Sequence, residues 1–147
     1  MTTSLLLSAL LLGAPGSKAP PKQPVDLAGE WFRESITFDG ESRPPKGASL
    51  TYKFDPDGTW LSRWPGEKWS RHSTYTLDRT ADPVGIDFDF DPDRPDGLKM
   101  KGIVKVEGDA LTICLSNAEP SVRPTAFEAK RGSATLLYVF KRVKPKD

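Results

Sequence analysis

The chain reads as all-β, folding into an up-and-down antiparallel barrel of about eight strands. Three observations predict this. From Leu27 onward apolar residues recur at every second position over almost every stretch that can be scored. Pro and Gly, 14 and 12 of the 147 residues, punctuate the chain at short intervals and leave no room for a long amphipathic helix. Gly29-Glu30-Trp31 opens the patterned region and Phe140-Lys141-Arg142 ends it, so a tryptophan strand and an arginine strand stand where such a barrel closes. A chain of this length makes one domain, burying about two thirds of its unfolded surface.

The elements follow in order. Gly29 to Phe38 makes a first strand, turned by Asp39-Gly40. Ser49 to Phe54 alternates, and Asp55-Pro56-Asp57-Gly58 supplies the proline and the glycine of a tight hairpin turn. Thr59 to Trp64 returns with Trp60, Ser62 and Trp64 on one face, before the Pro65-Gly66-Glu67 connection. Lys68 to Leu77 places Trp69, Arg71, Ser73, Tyr75 and Leu77 on one face and His72 on the wetter one. Val84 to Phe90 sets Ile86, Phe88 and Phe90 against Asp87 and Asp89, the mark of a half-buried strand. Leu98 to Val106 repeats that pattern, and Glu107-Gly108-Asp109 turns it into Ala110 to Ser116, which is apolar on both sides. A longer connection from Asn117 leads to the last strand, Ala134 to Val143, and eight strands enclose room for side chains or one small ligand.

Charge is nearly balanced, 21 basic against 20 acidic residues, so no global field gathers nucleic acid and no nucleic-acid partner is expected. Leu5 to Leu12 is too short to span a bilayer but has the length of a secretory-signal core, and Ser17-Lys18-Ala19 offers a small-x-small cleavage site. Residues 1–19 are therefore expected to be a signal peptide and 20–26 a Pro-rich linker, with the barrel over 27–143 and no transmembrane segment. That predicts a periplasmic or secreted protein. The only cysteine, Cys114, has no partner for a disulfide and reads as a small buried hydrophobe.

Several blocks carry a resemblance. Leu27-Ala28-Gly29-Glu30-Trp31, Pro83 to Asp87, the run Gly102 to Cys114 with Gly108-Asp109-Ala110-Leu111-Thr112-Ile113-Cys114 at its end, Arg123-Pro124-Thr125-x-Phe127 and Phe140-Lys141-Arg142 resemble an uncharacterised bacterial family with a lipocalin-like domain. The order and spacing fit from Leu27 to Arg142. The chain departs from that pattern at Val104, where the family usually has a tyrosine, and at Leu115-Ser116. The resemblance implies a lipocalin-like barrel, often exported, and no activity. It also implies that Trp31 sits under the arginine of the last strand, Arg142, in a cation–π contact of about 0.5 to 2 kcal/mol that closes one end.

Candidate chemistry is sparse. Asp82, Asp87, Asp89, Asp91, Asp93 and Asp96 have oxygen ligands for a hard cation, but a strand points alternate carboxylates outward in a row, and Pro92 stands where a calcium loop turns on glycine. A solvated face beside Phe88 and Phe90 accounts for them, so no metal is expected. His72 is the sole histidine and has no second ligand or nucleophile to serve. No Gly-x-Ser-x-Gly and no phosphate-cradling glycine loop occurs, so neither an enzyme nor a cofactor is expected.

What remains is a set of aromatics that alternation turns inward: Tyr52, Phe54, Trp60, Trp64 and Trp69, then Tyr75, Phe88, Phe90, Tyr138 and Phe140. They fill the barrel solid, or they line a cavity for a small hydrophobic or amphipathic ligand. In the second case Trp60, Trp64, Trp69, Tyr75, Phe88 and Tyr138 form the wall, and Arg71, between Trp69 and Tyr75, anchors an acid. In the first, the function lies outside, in contacts with another protein of the cell envelope. Arg123 is expected to brace the long connection through loop carbonyls or a carboxylate. A connected cavity of about 300 Å³ or more favours the ligand, a filled barrel with an exposed apolar patch the partner.

Overall fold

The computed structural model describes residues 24–45 and 49–146, with every side chain among them except that of His72. The expected signal peptide, 1–19, and the first part of the linker lie outside the described residues. The last part of the linker packs, because Val25 is buried under the barrel and its carbonyl accepts a hydrogen bond from Arg79 at 2.8 Å.

Nine strands follow: β1 (Gly29–Phe38), β2 (Glu41–Arg43), β3 (Thr51–Phe54), β4 (Thr59–Arg63), β5 (Ser70–Asp78), β6 (Gly85–Asp89), β7 (Lys99–Glu107), β8 (Ala110–Ser116) and β9 (Thr135–Arg142). All pair antiparallel with their neighbours, and β9 pairs with β1, so eight of the strands close into the expected lipocalin-like barrel. β2 is the addition. It extends the sheet along Ile36 to Phe38, beyond the part of β1 that β3 covers. Its Glu41, Ser42 and Arg43 are all exposed, so it carries no alternation by which a sequence could announce it.

Inside the barrel Trp31, Phe54, Trp60, Ile86 and Phe88 pack with Val104, Leu111, Ile113 and Phe140 into one apolar cluster. At about 25 cal/mol per Å² of apolar surface, each such side chain contributes roughly 1.5 to 3 kcal/mol. β8 is apolar on both sides because both sides are covered. Leu111, Ile113 and Leu115 face the interior, while Cys114 and Ile103 are buried on the outer side, where Cys114 meets the Glu128 carbonyl of the connection between β8 and β9. Arg123 pins that connection, donating to Gly102 O at 2.7 Å and standing 2.9 Å from Asp87.

One end of the barrel is shut. Trp31 is fully buried, its indole N–H donates to Leu27 O at 2.9 Å, and the Arg142 guanidinium lies 4.1 Å above the ring centre. Arg142 also donates to Ala28 O at 3.2 Å and faces Asp109 at 3.8 Å. Trp31 and Arg142 are therefore in contact, and their hydrogen bonds to Leu27 and Ala28 anchor the segment before β1 as well.

Two bulges decide which residues point inward. In β1, pairing with β9 skips Glu34, so Arg33 opposes Phe140 and Ser35 opposes Val139. In β5, Trp60 opposes Ser73 while the next residue, Leu61, opposes Arg71, so His72 is the extra residue. A bulge of this kind reverses the alternation on one side of itself.

Candidate functional site

The β5 bulge corrects the placement of Arg71 and Trp69. Ser73, Tyr75 and Leu77 keep the inward parity that alternation assigns them, but on the other side of His72 the parity reverses, and Arg71 pairs with Leu61 on the outer face, exposed to solvent. Trp69 lies on the outside too, where the Arg63 guanidinium stacks 4.3 Å from its ring centre. Trp64 stands past the end of β4, in the turn, and is 45% exposed. None of the three reaches the interior.

The other predicted aromatics do converge. Trp60 stacks on Tyr52 with ring centres 5.5 Å apart and meets Phe88 edge-on at 5.6 Å. Tyr138 stacks on Phe140 at 6.0 Å. Tyr75 packs edge-on against Phe54 at 5.3 Å and donates its hydroxyl to Asp55 O at 2.9 Å, which ties the β3–β4 turn to β5. Trp60 donates its indole N–H to the Ser73 hydroxyl, so the inward Ser73 serves the ring.

These rings do not fill the barrel. They leave a cavity of about 180 Å³, walled by Tyr52, Phe54, Trp60, Phe88 and Phe90 on one side and by Ile113, Leu115, Tyr138 and Phe140 on the other. That falls short of the roughly 300 Å³ set above as the volume that favours a ligand, where drug-sized pockets begin. It is slightly more than the roughly 150 Å³ of an apolar cavity that stays dry and accepts one benzene.

The interior has a cation, and it is Arg33. It stands two residues after Trp31 on β1, opposite Phe140, with its side chain half-buried. Arg33 lines a second hollow, of about 360 Å³, with Ile36, Phe38, Arg43, Pro44, Pro45 and Leu136. The wall of the aromatic cavity carries two phenols, those of Tyr52 and Tyr138. Burial raises the pKa of both above the ordinary 10.0, while the positive charge of Arg33 pulls each the other way. Both phenols therefore remain protonated near neutrality and can donate.

Sequence reasoning missed Arg33, although the parity of Gly-x-Trp-x-Arg puts it on the face of Trp31. Four members of the acidic stretch are paired: Asp87 stands 2.9 Å from Arg123, Asp89 faces Lys99 at 3.5 Å, and Arg94 meets Asp91 at 3.7 Å and Asp96 at 3.3 Å. Among the described residues no three of the His, Cys, Asp and Glu side chains converge as metal ligands. No described helix is long and apolar enough to cross a membrane. Comparison of the chain with known protein families, with curated proteins and with solved structures returns no match.

Proposed function

We propose that this chain is an exported lipocalin-like barrel that binds a small hydrophobic or amphipathic molecule, in line with the resemblance of its Gly108 to Cys114 and Arg123 to Phe127 blocks. The supporting observation is the cavity of about 180 Å³, whose walls are seven aromatic and two aliphatic side chains. Its size restricts the occupant to one or two rings or a short chain. An apolar cavity left empty forfeits dispersion contacts on all its walls, and a fitting ligand restores them. The alternative, a module for an envelope protein, draws support from Phe38, Trp64 and Leu98, exposed at the ends of strands that share the open rim.

The two readings separate on a neutral probe. Indole titrated into the full chain raises its thermal unfolding temperature in a saturable way if the cavity is used, as binding to the native state alone requires. Ile113→Phe, which fills the cavity, removes that shift while the protein stays folded. An unfolding temperature insensitive to indole assigns the function to the outer surface. Export rests on the Leu5 to Leu12 leader, and protein recovered from its own host is expected to have the intact mass of a chain that starts after Ala19.

A further inference from the structure

The chain has four half-buried arginines, and three of them meet a carboxylate. Arg63 faces Glu30 at 3.5 Å, Arg123 faces Asp87 at 2.9 Å and Arg142 faces Asp109 at 3.8 Å. Arg33 pairs with no carboxylate of the described residues, although it is the one beside the aromatic cavity. A guanidinium drawn away from water without a counter-charge is costly, because its five N–H donors all call for acceptors. In the pairing of β1 with its neighbours, Arg33 opposes Phe140, Ile36 opposes Tyr138 and Trp31 opposes Tyr52, so the register places Arg33 next to the wall in which Tyr52, Tyr138 and Phe140 stand. The arginine fork and two O–H donors thus stand beside an apolar hole, a set that matches the two oxygens of one carboxylate.

We propose that the barrel's ligand is a small monocyclic aromatic acid, its ring in the cavity beside Trp60, Phe88 and Phe140 and its carboxylate on Arg33, Tyr52 and Tyr138. The inference rests on the ligand-binding reading above and narrows it to a chemical class. Volume sets the single ring. The rings of Tyr52, Trp60 and Phe88 already meet one another stacked and edge-on, and a planar aromatic guest extends that packing where a flexible chain would leave gaps. Arg43, which lines the same hollow as Arg33, faces Glu41 at 3.6 Å, so Arg33 is the cation left to answer a ligand and sets a monoanion, since a phosphate ester would bring a second charge.

The test is a matched pair of probes, benzoate and benzamide, equal in shape and differing in charge, titrated calorimetrically into the full chain near neutral pH. Wild-type protein is expected to bind benzoate at least about tenfold more tightly than benzamide, the difference between a charged and a neutral hydrogen-bonded group. Arg33→Met is expected to lose that preference and to bind benzamide within about twofold of wild type. Arg71→Met, on the outer face, is expected to change neither. Equal binding of the two probes by wild type overturns the acid assignment and leaves the cavity reading standing. Binding of neither overturns both. The wild-type comparison needs no variant, so a failure of Arg33→Met to fold does not decide the question.

Discussion

At the scale of single residues, Trp31 and Arg142 show how much one pair can hold. The guanidinium covers a fully buried indole, caps the Ala28 carbonyl and faces Asp109, so it joins the first strand, the last strand, the β7–β8 turn and the segment before the barrel. Arg142→Met keeps the apolar stem but loses the cation–π contact and the capping hydrogen bond, and is expected to cost about 1 to 3 kcal/mol in urea unfolding. Arg142→Lys, a point charge without the planar fork, should recover less than half of that. Unfolding of the methionine variant at the wild-type midpoint would remove Arg142 from the closure. Gly102 is a second single-residue constraint, since a Cβ there would stand 2.5 Å from both the Cys114 carbonyl oxygen and a Leu115 methyl.

At the scale of elements, the connection between β8 and β9 is what lets β8 be apolar on both faces. It covers Cys114 and Ile103 on the outside of the barrel, and Arg123 reaches from it to the Gly102 carbonyl and Asp87. Arg123→Ala leaves Asp87 without its guanidinium and the connection without its anchor. The pair is partly exposed, so solvent screens it, and a loss of about 1 to 2 kcal/mol is expected. Hydrogen exchange is the more telling readout: amides of 117–134 and of β7 and β8 should exchange faster, while those of β1 and β3 keep their protection. Uniform acceleration over the whole barrel would contradict a local anchor. The expected strands match the observed ones to within two residues at each end, because turn chemistry and alternation are local. Arg71 and Trp69 went astray at this scale, since the His72 bulge is set by how β5 meets β4, and no residue between Lys68 and Leu77 marks it.

At the scale of the whole molecule, the barrel stores a response to alkali. Tyr52, Tyr75 and Tyr138 have pKa values raised above 10.0, in each case chiefly by burial; Asp57, Asp55 and Asp26 add to the rise at Tyr75, and Arg33 opposes it at the other two. Raised values mean that the folded chain holds these protons more firmly than the unfolded chain does. The stability they contribute is therefore fully present below about pH 10 and is lost as pH climbs from there through the folded-state values. Urea midpoints should be flat from neutrality to about pH 10 and fall beyond it, with phenolate absorbance appearing together with unfolding. Tyr52→Phe should make that fall shallower. Phenolate absorbance that develops while the barrel remains folded would show the rings to be wetter than their burial implies.

The sequence by itself determined the class, the eight barrel strands and the turn chemistry at Asp55 to Gly58, since each follows from alternation and local geometry, and the places of Trp31 and Arg142 in the first and last strands pointed to their contact. Inward placement of Trp60, Tyr75, Phe88 and Tyr138 was equally legible. Only the tertiary structure decided that the rings leave a hole of about 180 Å³, that Trp64 and Trp69 stand outside it, and that Arg71 opposes Leu61 on the outer face while Arg33 opposes Phe140. The physical reason is the same in each case. Cavity volume is a small difference between the space the sheet encloses and the volume of its side chains, and face parity survives only as far as the next bulge, so both are fixed by the register of neighbouring strands rather than by the residues of any one of them.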